Sequence, residues 1–111
     1  MGKDTRRIAE TESLYREVNE RIAETAVRFE SGNAEFYCEC ADPACTERVE
    51  ATLSSYEDVR SDSTQFILAP GHSLPEVEEV VERHEGFTVI EKVEPTLAAM
   101  VTHLDPRADL A

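Results

Sequence analysis

The chain is short of positive charge, of glycine and of long apolar runs. Only 11 of its 111 residues are Lys or Arg, against 24 Asp or Glu, which gives a formal net charge of −13. So acidic a chain argues against nonspecific binding to nucleic acid or to an anionic membrane, both of which need clustered cations. Four glycines, none of them clustered, leave no glycine-rich loop to cradle phosphates. No run approaches the roughly 18 apolar residues of a membrane span, and Met1-Gly2-Lys3-Asp4 leads into no apolar signal segment. Gly2 invites comparison with a myristoylation motif, but Arg6 stands where that motif needs Ser or Thr. Three cysteines, an odd number, cannot complete a disulfide framework within one chain, so a reducing cytoplasm is the expected location.

What is present fits one soluble globular domain with little core to spare: 41% hydrophobic and 32% charged residues. The charge is uneven. Residues 1–34 hold six basic and seven acidic groups, whereas residues 35–111 hold five and seventeen, or −12. The plainest reading of that excess is solubility. A sharper one is a surface that docks a basic partner, and a divalent-cation surface is a third.

The first thirty residues read as one helix. Ile8, Tyr15, Ile22 and Phe29 recur every seven residues, with Thr11, Val18 and Thr25 between them. This stripe, and Ile8, Tyr15, Val18, Ile22 and Phe29 in particular, is a candidate oligomerisation face, although the threonines weaken a dedicated coiled coil. Glu12–Arg16, Glu17–Arg21 and Glu24–Arg28 have the spacing of exposed i,i+4 pairs, each worth about 0.2–0.5 kcal/mol. Ser31-Gly32-Asn33 supplies residues tolerant of the left-handed conformation that ends a helix. A helix of this length either lies across the sheet that follows or pairs with a second copy.

Beyond it, Glu35–Cys40 alternates as a strand with Phe36, Cys38 and Cys40 on one face and Tyr37 and Glu39 on the other. Asp42-Pro43 marks a turn, and Glu47–Ala51 can return antiparallel through Val49. Ser54 with Glu57 forms a capping box for a short helix with Leu53, Tyr56 and Val59 inward, and Gln65–Ala69 is a compact apolar strand. Residues 75–85 fit either a helix or, with Glu85-Gly86 and Phe87–Val93, a β-hairpin; the hairpin is favoured. A last helix from Pro95 presents Leu97, Met100, Val101 and Leu104, and Asp105-Pro106 ends it. The expected architecture is α+β: a long N-terminal amphipathic helix (1–34), a small, mostly antiparallel sheet domain with short helices (35–106), and a frayed tail (107–111).

The dense chemical feature is Cys38-Glu39-Cys40-Ala41-Asp42-Pro43-Ala44-Cys45. Residues i and i+2 of a strand share a face, so two sulfurs can reach one ion, and a turn returns Cys45 to the same point. Three thiolates need one more ligand for tetrahedral Zn²⁺. His72, exposed on the Pro70-Gly71-His72 corner, is the first candidate, His84 the second, and His103 a distant third. Against a structural zinc site stand small buried cysteines without a metal, and a Cys40–Cys45 disulfide or a redox CxC formed by Cys38 and Cys40. Catalytic zinc fits less well, because four protein ligands leave no open position and Glu39 points away from the cysteines.

Phe36-Tyr37-Cys38-Glu39-Cys40, Cys45, Tyr56-Glu57-x-Val59-Arg60, Phe66, Pro70-Gly71-His72 and Val89-Ile90-Glu91-Lys92 together resemble a family of small uncharacterised actinobacterial proteins. That family carries a CEC-x₄-C cluster, a YExVR helix and a PGH turn, and Tyr15–Ile22 is similar to its N-terminal helix. The resemblance runs from about residue 6 to residue 107. It implies that Cys38, Cys40, Cys45 and His72 act as one constellation, and it implies no activity. The expected function is a non-enzymatic, zinc-stabilised protein-interaction module, with a homodimer through the N-terminal helix as one form of partnership. A thiol or zinc redox sensor is the alternative, followed by a small zinc hydrolase or CxC oxidoreductase.

Overall fold

The computed structural model describes residues 5–107. In chain order these form α1 (Thr5–Arg28), β1 (Asn33–Tyr37), β2 (Arg48–Thr52), α2 (Leu53–Arg60), β3 (Gln65–Leu68), β4 (Glu78–His84), β5 (Phe87–Lys92) and α3 (Pro95–His103). The architecture is α+β, as expected, with two antiparallel sheets. β1 pairs with β2, setting Phe36 against Val49. β3, β5 and β4 form the second sheet in that order, with Phe66 against Ile90 and Ile67 against Val89.

The ambiguous stretch 75–85 is resolved as a hairpin. Gly86, at φ 93°, takes the positive dihedral that its turn requires, and a register shift between Val80 and Glu82 marks a bulge in β4. The start of α2 differs from expectation. Thr52, not Ser54, is the N-cap, its hydroxyl accepting from the Ser55 amide at 3.0 Å. At α3, Glu94 caps the Leu97 amide at 2.7 Å and Pro95 occupies the first turn. Leu97 and Val101 are buried, but Leu104, expected inward, is exposed. Beside it Asp105 turns in to meet buried arginines, and that claims the interior position.

The largest departure concerns α1. Its buried face is Ile8, Ala9, Glu12, Arg16, Asn19, Ala23 and Ala26, rotated away from the apolar stripe. Of that stripe Ile8 is buried, Tyr15 and Ile22 are half-buried, and Val18 and Phe29 are exposed. Small residues let the helix approach β1 and α3 closely, and three polar residues then find partners inside. The helix stops at Arg28, and its left-handed residue is Glu30 (φ 56°), not one of Ser31-Gly32-Asn33. The Ser31 amide bonds back to the Ala26 carbonyl at 2.8 Å and Glu30 to Val27 at 3.1 Å, the Schellman arrangement.

Nor is Glu12–Arg16 an exposed pair, since both residues are fully buried. Glu12 accepts from Lys92 at 2.7 Å, and Lys92 also pairs with Glu78. Arg16 donates to the carbonyls of Ser63 and Gln65 at 2.7 and 2.8 Å, and its guanidinium stands 3.8 Å over the Phe66 ring. Arg60 grips Asp105 and Glu20. Arg107, expected to fray, instead reaches Glu20 at 2.7 Å and Glu57 at 3.0 Å, and the remainder of that tail lies outside the described residues. Burial pushes the Glu12 carboxyl up to about 8 despite Lys92. Asp105 resists the same burial: hydrogen bonds from Arg60, Ser63 and the Arg107 amide hold it down to about 2.

Candidate metal centre

β1 ends at Tyr37, three residues short of the Cys40 end that the alternation suggests. The Cys38 amide still bonds to the Glu47 carbonyl at 3.1 Å, but the Glu39 amide crosses to Ile67 of β3 at 2.8 Å. Cys38 and Cys40 therefore lie in the seam between the two sheets, both buried. The Asp42 turn forms as read: its carboxylate accepts from the Ala44 amide at 2.9 Å and its carbonyl from the Cys45 amide at 3.1 Å. From the other sheet, β3 runs out into Pro70-Gly71, where Gly71 has φ 85° and the His72 amide bonds to Ala69 at 3.3 Å.

These two loops bring Cys38, Cys40, Cys45 and His72 together, with their ligand atoms all within 4.8 Å of one another. This cluster can hold a metal ion. His72 Nδ1 lies 3.5 Å from Cys38 Sγ and 3.6 Å from Cys45 Sγ. Bond lengths of about 2.3 Å to sulfur and about 2.0–2.1 Å to nitrogen give a tetrahedral S···N edge of about 3.6 Å, so these separations fit one ion between them. The three cysteines are free thiols in this structure. His84 does not join the cluster: it stacks on Phe87 at 4.5 Å and meets Glu82 at 2.8 Å. His103 lies at the far end of α3, beside a crevice against α1.

Each sulfur is approached by one backbone amide: Ala69 to Cys38, at 3.1 Å, Asp42 to Cys40 and Glu47 to Cys45. Among themselves the thiols are unequal. A hydrogen bond from Cys38 holds Cys40 down to about 5, and the same bond together with burial pushes Cys38 far above the ordinary thiol range. Cys45, at the rim, is raised chiefly by burial.

Two residues of α1 fix the ligand loop: Asn19, which no sequence pattern marks, and Tyr15, which the sequence places on the candidate oligomerisation face and not at the metal cluster. Asn19, fully buried, donates from Nδ2 to the Tyr37 carbonyl at 2.9 Å while its Oδ1 accepts from the Tyr37 amide at 2.8 Å. In effect it supplies the strand edge that β1 lacks. Its Nδ2 also meets Glu39 Oε2 at 2.8 Å, and Glu39 Oε1 accepts from the Ile67 amide at 3.0 Å. Glu39 is therefore engaged away from the sulfurs. The Tyr15 hydroxyl lies 2.9 Å from the Asp42 carbonyl and 3.0 Å from that of Cys45, its proton shared between them. Tyr15 carries a signal only as a member of the heptad stripe, and a single Asn in a helix carries none.

On the outer side the cluster opens to a cleft of about 310 Å³ lined by Cys40, Asp42, His72 and Ser73. Cys45 and His72 are half-buried. Among the described residues no helix is long and apolar enough to cross a membrane. In comparisons with protein-family models, curated proteins and solved structures, nothing matches the chain.

Proposed function

We propose that this chain is a non-enzymatic protein-interaction module closed by one structural Zn²⁺ on Cys38, Cys40, Cys45 and His72. The observation that carries the reading is the convergence of three thiols and one imidazole from two separate loops within 4.8 Å. Soft thiolates with an imidazole suit zinc better than hard cations, and four protein ligands complete a tetrahedron without a place for reacting water. The ion would tie the β1–β2 loop to the end of β3, linking the two sheets where a small core has least to offer. The −12 carried by residues 35–111 suits a basic protein partner. A reducing cytoplasm suits free thiols, and kinship with the actinobacterial family of the same Cys and His pattern belongs to the same reading.

The test is metal analysis of protein purified without chelator. It should hold about one zinc per chain, and a strong chelator should unfold it or lower its melting temperature sharply. A zinc content near zero, with full stability, removes the reading. A second reading, release of zinc by oxidation, is favoured by the half-buried Cys45 and His72 beside the open cleft. Zinc content unchanged by peroxide would exclude it.

A further inference from the structure

The apolar stripe of α1 that its own core leaves unused faces solvent. Val18 is 37% exposed and Phe29 73%. Val18, Ile22, Ala26 and Phe29 line a groove of about 420 Å³, bounded on its far side by Asn33 and Ala34 of β1. Alongside run Glu17, Arg21, Glu24 and Arg28. Their spacing suits pairs within the helix, yet among the described residues none of the four makes an ion pair, unlike Arg6–Glu10 at 3.9 Å. Read forward the four are −, +, −, +; read backward they are +, −, +, −. Such a row complements itself in the antiparallel orientation and opposes like to like in the parallel one.

We infer that α1 pairs with α1 of a second copy, antiparallel, across a two-fold axis. Val18 of each chain faces Phe29 of the other, Ile22 faces Thr25, Glu17 lies beside Arg28, and Arg21 beside Glu24. Such an isologous contact uses one patch twice. It also uses the one region where two acidic chains meet little repulsion, since residues 1–34 carry −1 and residues 35–111 carry −12. The inference rests on the reading of the chain as an interaction module and adds a second copy of the chain to its basic partner, but it requires no metal.

The experiment is native mass and light scattering of the full chain over a range of micromolar concentrations, with zinc content measured on the same samples. Wild type should be dimeric at the upper end. Phe29→Glu should be monomeric with unchanged circular dichroism, because Phe29 makes no part of the chain's own core. Glu17→Arg should raise the dimer dissociation constant by about tenfold or more, and Glu17→Arg with Arg28→Glu should restore it. A wild type that stays monomeric, a dimer indifferent to Phe29→Glu, or a double variant no better than Glu17→Arg would each overturn the inference. A zinc-loaded monomer would leave the metal reading standing, and a zinc-free dimer would leave this one.

Discussion

The two long faces of α1 reverse the arrangement expected of an amphipathic helix. The inner face buries Glu12, Arg16 and Asn19 among alanines, while the outer face holds Val18, Ile22 and Phe29 in or near solvent. Each inner polar group reaches a different part of the fold: Glu12 the charged end of β5, Arg16 the chain entering β3, and Asn19 the end of β1 and the metal-ligand loop. Helix position is thus set by directional bonds that fit one placement, whereas the apolar stripe leaves a surface for association. A periodic apolar pattern shows that a face will be covered, and leaves open whether the cover comes from the same chain.

Substitutions on the two faces should therefore separate folding from association. The largest effect is expected at Arg16. Arg16→Met strips two carbonyls and the buried Asp105 of a partner, and should cost about 3–5 kcal/mol in urea unfolding. Asn19→Ala follows. It removes the bonds to Tyr37 and Glu39 and should cost about 2–3 kcal/mol; by freeing the strand just before Cys38 it should also weaken zinc affinity, readable by competition with a chromogenic chelator.

Acid stability should depend on Asp105. Its pKa lies near 2 in the fold against an ordinary 3.8, so its contribution is complete above that ordinary value and is lost as pH falls toward 2. Asp105→Asn should be less stable than wild type at neutral pH and should lose that disadvantage in acid. Glu12 has the opposite sign. Raised from 4.5 to about 8, it keeps in the fold a proton that the unfolded chain has released, so stability declines as pH rises through that interval. Glu12→Gln should flatten this slope, which denaturant titrations across the interval will show, and should change neutral stability by no more than about 1 kcal/mol. On the outer face, Phe29→Glu should alter monomer stability by about 0.5 kcal/mol or less; a larger loss would mean that the stripe belongs to the chain's own core.

Much of this arrangement is readable in the residues themselves. Alternation at Phe36–Val49 and Phe66–Ile90, with Gly86 between two strands, announces the sheets because period-two burial and turn chemistry are local. The Cys38–Cys45 cluster is legible for the same reason, and His72 joins it because a glycine corner leaves an imidazole free to swing toward the sulfurs. What the sequence does not display is non-local. Lys92 looks like an exposed strand terminus until Glu12 and Glu78 are brought around it, and Arg107 looks like a loose tail until Glu20 and Glu57 are in place. Asn19 shows no pattern whatever, since its role depends on the point at which β1 runs out of a neighbour.

A metal held by three sulfurs and one nitrogen has a scattering shell of its own. X-ray absorption at the zinc edge of the protein as purified tests it most directly. The expected shell is three sulfur ligands at about 2.3 Å and one nitrogen at about 2.0–2.1 Å, reduced to two sulfurs in Cys45→Ser. A shell of oxygen and nitrogen alone, or one unchanged in Cys45→Ser, would contradict it.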